Sequence, residues 1–176
     1  MSTPPLPFAF FPPVATFTLE SDDIAEGERL QAPQVSGIFG AGGEDRSPAL
    51  RWSGAREGTK SYAVTMFDPD APTGSGFWHW AVFDIPASVT SLPAGAGTPG
   101  SSDLPMGAVT LRNDAGMAGY LGSAPPEGRE HRYVFTVHAV GVESLGLGED
   151  ASPAFLGFNL FANAIGRAEI VARYHR

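Results

Sequence analysis

Met66-Phe67-Asp68-Pro69-Asp70-Ala71-Pro72-Thr73-Gly74-Ser75-Gly76-Phe77-Trp78-His79-Trp80 decides how this chain is read. An apolar strand, Tyr62 to Phe67, runs into two carboxylates set between prolines. Proline fixes its own φ near −65° and drives the preceding residue toward extended geometry, so Asp68 to Pro72 is stiff and cannot continue as helix. The Gly-Ser-Gly turn then returns the chain as a second apolar strand carrying His79. Asp68 and His79 are therefore expected at the same rim of a sheet, with Asp68 orienting the imidazole.

Composition narrows the class. At 176 residues the chain fits a single domain with a sizeable core. Its 22 glycines and 16 prolines favour many turns over long helices, hence a β-rich architecture. A net charge of −8 has the wrong sign for a nucleic-acid surface or for attraction to anionic lipid, so any bound anion needs a local pocket. The absence of cysteine excludes disulfides, thiol catalysis and thiolate metal sites. Residues 1–13 lack a basic residue and are broken by five prolines, which is not the pattern of a secretory signal. No apolar run approaches the ~20 residues of a membrane helix, and a cytoplasmic location is expected.

Residues 1–13 read as a proline-rich extension whose Phe8, Phe10 and Phe11 pack on the domain or on a partner, and residues 14–176 as one domain. Ser61 to Asp68 and Trp78 to Ile85 are nearly continuously apolar, as central strands buried on both faces are. Trp78 and Trp80 are expected on the face opposite His79. Tyr133 to Val140 is a further strand, and a period of two puts His131 and Tyr133 on one face, Arg132 and Val134 on the other. His138, on the face opposite His131, reads as structural. Ser152-Pro153 is an N-cap followed by proline at the first helical position. It opens a helix expected to pack through Phe155 and Phe158 and to stop at Gly166, ahead of a last strand from Ala168 to Tyr174.

Two separated motifs, Asp68-Pro69-Asp70-Ala71-Pro72 with His79 and Gly122-Ser123-Ala124-Pro125-Pro126 through His131-Arg132-Tyr133, resemble those of the phosphatidylethanolamine-binding protein family, also called Raf kinase inhibitor-like proteins, in its bacterial branch. The resemblance extends to Gly43-Glu44-Asp45, Ser47-Pro48, Trp52 and Asn113-Asp114. It implies a mainly β fold: an antiparallel Greek-key β-sandwich with a C-terminal helix and short peripheral helices. It also implies a pocket for phosphate-like anions, lined by Asp68, His79, Ala124, Pro125, His131 and Tyr133 and supported by Asp70 and Pro72. Ala124 stands where many relatives carry glycine or cysteine. The loop from Pro72 to His79 is shorter than in animal members, so their kinase contacts do not transfer.

The leading expectation is a non-catalytic binding protein for phosphate, phosphorylated headgroups or similar anions, with regulation of a protein partner left open. A carboxylate beside a histidine favours imidazolium, a donor to anions that titrates above its free value of ~6.5. Asp70 could equally cap the turn or pair with an arginine. The competing readings are a hydrolase using Asp, His and Tyr, which lacks a visible nucleophile, and a kinase or protease inhibitor with no physiological small ligand. No cofactor, metal or nucleic acid is expected, and homodimerisation stays open.

Overall fold

The computed structural model describes residues 3–176; Met1 and Ser2, the start of the expected extension, lie outside the described residues. In chain order the strands are β1 (Ala15–Thr16), β2 (Thr18–Glu20), β3 (Leu50–Ser53), β4 (Ser61–Asp68), β5 (Phe77–Pro86), β6 (Ser91–Leu92), β7 (Val109–Thr110), β8 (His131–Val140) and β9 (Ala164–Tyr174). Helix α1 (Pro153–Asn163) precedes β9, and one 3₁₀ turn covers Ala32–Gln34.

The unbroken apolar runs become the centre of a six-stranded sheet of order β1-β9-β8-β4-β5-β7, faced by a three-stranded sheet of order β2-β3-β6. All pairings are antiparallel except β1 with β9, a parallel edge that makes the larger sheet mixed. Between the sheets lies a core built from Leu50, Trp52 and Leu92 on one side and Val64, Met66, Trp80, Phe135 and Val137 on the other. The opposite face of the larger sheet carries a second apolar cluster of Ala63, Ala81, Phe83, Leu111 and Val140. Helix α1 covers that cluster.

Two expectations fail at α1. The helix packs inward through Pro153, Leu156 and Leu160, while Phe155 is 51% and Phe158 70% exposed. The chain carries two apolar stripes at helical spacing, and periodicity alone does not choose between them. Ser152 does cap the helix, accepting from the Phe155 amide at 3.1 Å. The stop is earlier than expected, because Asn163 passes directly into β9. Gly166 lies within that strand, where an added Cβ would meet Ala139 Cβ and the Ala15 carbonyl at 3.3 Å. Its small size therefore serves close strand approach and not a helix cap.

A third correction concerns β5. Met66 pairs with Trp80 and Phe67 with Trp78, which leaves His79 as an extra residue on the bulged strand. A bulge re-aims its side chain. Trp80 and His79 are thus both buried, Trp80 within the inter-sheet core, while Trp78 packs on Phe67 with ring centroids 4.4 Å apart and the planes tilted by 45°. No helix among the described residues is long and apolar enough to cross a membrane.

Candidate functional site

The end of β4 meets the starts of β5 and β8 at one rim of the sandwich. There a cavity of about 130 Å³ is lined by Asp68, His79, His131 and Tyr133, with Ala71, Pro72, Thr73 and Phe77 on one wall. Leu121, Gly122, Ala124 and Pro125 form another wall, and Phe39 and Pro126 complete it.

The walls are fixed by backbone chemistry. Thr73 donates its hydroxyl to the Gly76 carbonyl. Gly76 itself has φ of +74°, and a Cβ there would strike the Phe67 ring at 2.3 Å. Opposite, Val35 bridges to Ser123, and Gly122 lies so close that a Cβ would fall 2.3 Å from the Val35 carbonyl carbon. Only glycine fits that approach. The Gly122 amide donates to Asp45 Oδ1 at 2.7 Å, and Asp45 Oδ2 accepts from Gly37 at 2.8 Å. Asp45 therefore ties both loops together. Arg176 does the same at the rim, donating to the Pro125 carbonyl at 2.7 Å and the Phe39 carbonyl at 3.0 Å.

The two histidines are held differently from expectation. The ring bonded to Asp68 is that of His131, whose Nδ1 lies 2.7 Å from Asp68 Oδ2. His79 instead directs Nδ1 to the Leu121 carbonyl at 2.9 Å, and the Leu121 amide donates back to the His79 carbonyl. Burial pushes His79 below its ordinary pKa, and the neighbouring Asp68 charge only partly opposes this. For His79 the expected upward shift is thus reversed, because desolvation of a fully enclosed imidazolium outweighs a carboxylate that is already committed elsewhere.

Tyr133 stacks edge-on against His79, centroids 5.3 Å apart, and burial followed by the Asp68 charge raises its hydroxyl pKa well above the ordinary value. It stays a neutral O–H. Neither that hydroxyl nor His131 Nε2 has a hydrogen-bond partner among the described residues, although both are buried.

Asp70 is the one expected site residue outside the cavity lining. Its carboxylate accepts from the Arg132 amide at 2.9 Å, from Nε at 2.8 Å and from Nη2 at 2.9 Å. Burial pushes its pKa up, but the Arg132 bonds and charge outweigh this and hold the carboxyl below its usual range. Asp70 acts through its backbone too, donating its amide to Asp68 Oδ1 at 2.8 Å. Asp68 is thereby fixed at both oxygens.

The sequence reading did not assign Phe39, Phe77 or Leu121 to the site. Phe39 sits in the glycine-rich stretch from Val35 to Gly43, where a lone aromatic among glycines was the available signal. Among the described residues no group of three or more His, Cys, Asp or Glu side chains is arranged to hold a metal ion.

Comparison with known proteins gives a consistent result. The sequence model described as phosphatidylethanolamine-binding protein matches residues 20–175. The chain is 49% identical over 161 residues to the UPF0098 protein YbcL of Escherichia coli K12, covering 91% of this chain and 88% of that protein. It is 44% identical over 156 residues to the UPF0098 protein YbhB of the same organism, covering 89% and 98%. The crystal structure of E. coli YbcL, described as a new member of the mammalian PEBP family, matches with a TM-score of 0.89 at 48% identity, over 91% of this chain and 98% of that one.

Proposed function

The chain belongs to the phosphatidylethanolamine-binding protein family, and from that premise we propose that its rim cavity binds small anions, phosphate or a phosphorylated headgroup, without transforming them. The observation that carries the reading is the pair of buried, unpartnered polar atoms, His131 Nε2 and the Tyr133 hydroxyl, on residues lining one small cavity. Buried polar atoms are ordinarily satisfied. An anion of phosphate size would accept from both, and the volume of about 130 Å³ suits a group of that size better than a large organic ligand.

Turnover is disfavoured by the same geometry. A hydrolase of this kind would need a hydroxyl activated beside a base. Ser123 is fully buried and is not part of the lining, Thr73 is committed to Gly76, and Tyr133 is held protonated. What remains is a set of donors facing a confined space, which supports recognition.

Calorimetric titration of inorganic phosphate and phosphoethanolamine, with ethanolamine, a cation at neutral pH that lacks the phosphate, as the control, tests the reading. Both anions should bind and ethanolamine should not. His131→Gln should weaken phosphate by about tenfold to a hundredfold, the equivalent of ~1.5–3 kcal/mol for a charge-assisted hydrogen bond. Equal affinity of wild type and variant, or no binding by wild type, overturns it.

A further inference from the structure

We propose that the N-terminal segment Pro4–Phe11, which lies outside the family-matched residues 20–175, is a strap that positions the anion site through a continuous hydrogen-bonded relay. The proposal rests on the binding reading above and adds a regulatory element to that site. The relay runs as follows in space. Arg132 Nη2 donates at 2.7 Å to the Pro4 carbonyl and at 2.9 Å to Asp70 Oδ1. The Asp70 amide donates at 2.8 Å to Asp68 Oδ1, and Asp68 Oδ2 holds His131 Nδ1 at 2.7 Å. One guanidinium is therefore shared between the strap and the carboxylate that braces the site.

Packing follows the same route. Pro4 and Pro5 flank a surface groove across from Pro69 and Ala71, with Phe67 also in its lining. Ala71 lines the anion cavity as well. The loop after β4 thus lies between the strap and the site, so the position of the strap bears on the wall a ligand would touch.

The strap is anchored by contacts that leave it releasable. Phe8 is buried edge-on against His138, centroids 4.8 Å apart, and Phe11 meets Phe161 at 5.5 Å. The Arg167 guanidinium lies over the Phe8 ring at 4.5 Å. Beneath this cover both nitrogens of His138, and Arg167 Nε against the Phe8 ring, have no hydrogen-bond partner among the described residues. Water would satisfy those groups if the strap lifted, which offsets part of the apolar contact that holds it down. An element held by a few aromatic contacts over unsatisfied polar groups is drawn from the low-stability end of a fold.

Hydrogen exchange and phosphate titration on full-length Phe8→Ala test the strap. The Asp70 and Arg132 amides are direct reporters, since each is bonded to a carboxylate of the relay. Release of the strap, read as faster exchange at Ala9 and Phe11, should be accompanied by faster exchange at Asp70 and Arg132 and a three- to tenfold weaker phosphate Kd. Phe10→Ala, at a side chain 80% exposed, should change none of these. By the reciprocity of coupled equilibria, phosphate added to wild type should slow exchange at Ala9 and Phe11. A strap freed by Phe8→Ala with Asp70, Arg132 and phosphate affinity unchanged overturns the proposal. Should wild type not bind phosphate, the functional reading falls while the exchange at Asp70 and Arg132 still decides the coupling. Phe8→Leu, which keeps an apolar cover, serves as the milder variant if Phe8→Ala loses protection throughout β4 and β8.

Discussion

Asp68 holds His131 by its Nδ1 at 2.7 Å, so the ring presents only Nε2 to a ligand. A carboxylate accepts and does not donate, so Nδ1 carries a proton in either charge state. The neutral ring then offers a lone pair at Nε2, and only the imidazolium offers an N–H. His79 is constrained in the same sense, because the Leu121 carbonyl can only accept from its Nδ1. Two histidines fixed in this tautomer repel an anion while neutral and receive it once protonated.

Anion binding should therefore take up a proton. Burial keeps His79 below its ordinary value in the free protein, and a bound anion raises it. Affinity is strongest below the depressed free-state pKa and weakens as pH climbs through the raised value of the complex. Sulfate isolates the effect, since it keeps its charge across this range. Its Kd should rise at least tenfold between pH 5.5 and pH 8.5 by calorimetry, and a flat profile would mean that His79 does not take up a proton on binding.

Tyr133→Phe should separate binding from stability. The hydroxyl is buried without a partner among the described residues, so its removal leaves packing intact and eliminates an unsatisfied group. Phosphate affinity should fall about two- to tenfold, the range of one neutral hydrogen bond of ~0.5–1.5 kcal/mol. The denaturation midpoint should hold or rise. A variant that loses stability and keeps its affinity would make Tyr133 a core residue only.

The architecture was legible because its signals are local: the apolar runs of β4, β5 and β8 and the Ser152-Pro153 cap each announce an element without reference to the others. The gathering of Asp68, His79, His131 and Tyr133 at one rim came from two motifs read together. What the sequence could not show was register. The bulge at His79 depends on how β5 slides against β4, and it reverses the relation of His79 to Trp80 that simple alternation gives. The pairing of Asp68 with His131, 63 residues away, is likewise set by which strands become neighbours. The strap had no signal beyond three aromatics in a proline-rich segment.

Acid should destabilise the protein through His138. Burial, followed by the charge of Arg167, lowers this histidine to about 3. Arg167 faces it in register from β9, with Glu169 next along that strand, while β4 contributes only Ala63 and the strap Phe8. A depressed histidine stays neutral in the folded state while the unfolded chain takes up a proton. Stability is thus complete above ~6.5 and declines as pH falls from there toward about 3, by at most ~1.4 kcal/mol per pH unit for this group. Urea unfolding at pH 7, 6, 5 and 4 should show the decline, and His138→Leu should flatten it. An unchanged slope in the variant would assign the acid sensitivity to His79 or to the carboxylates.

The last prediction concerns the two stripes of α1. Leu156 is fully buried over the second apolar cluster, whereas Phe158 is 70% exposed and stacks chiefly on Phe155, their rings 6.1 Å apart and nearly parallel at 8°. Truncating the smaller residue should therefore cost far more than truncating the larger. Leu156→Ala removes a side chain whose space the sheet cannot fill by collapse, and should lower unfolding free energy by about 2–5 kcal/mol. Phe158→Ala changes a surface contact and should fall within about 0.5 kcal/mol of wild type, since alanine's better helix propensity offsets part of what the stacked pair contributes. Chemical denaturation of both variants gives the comparison directly. A larger loss for Phe158→Ala would place the inward face of the helix on its phenylalanine stripe, as periodicity alone had allowed.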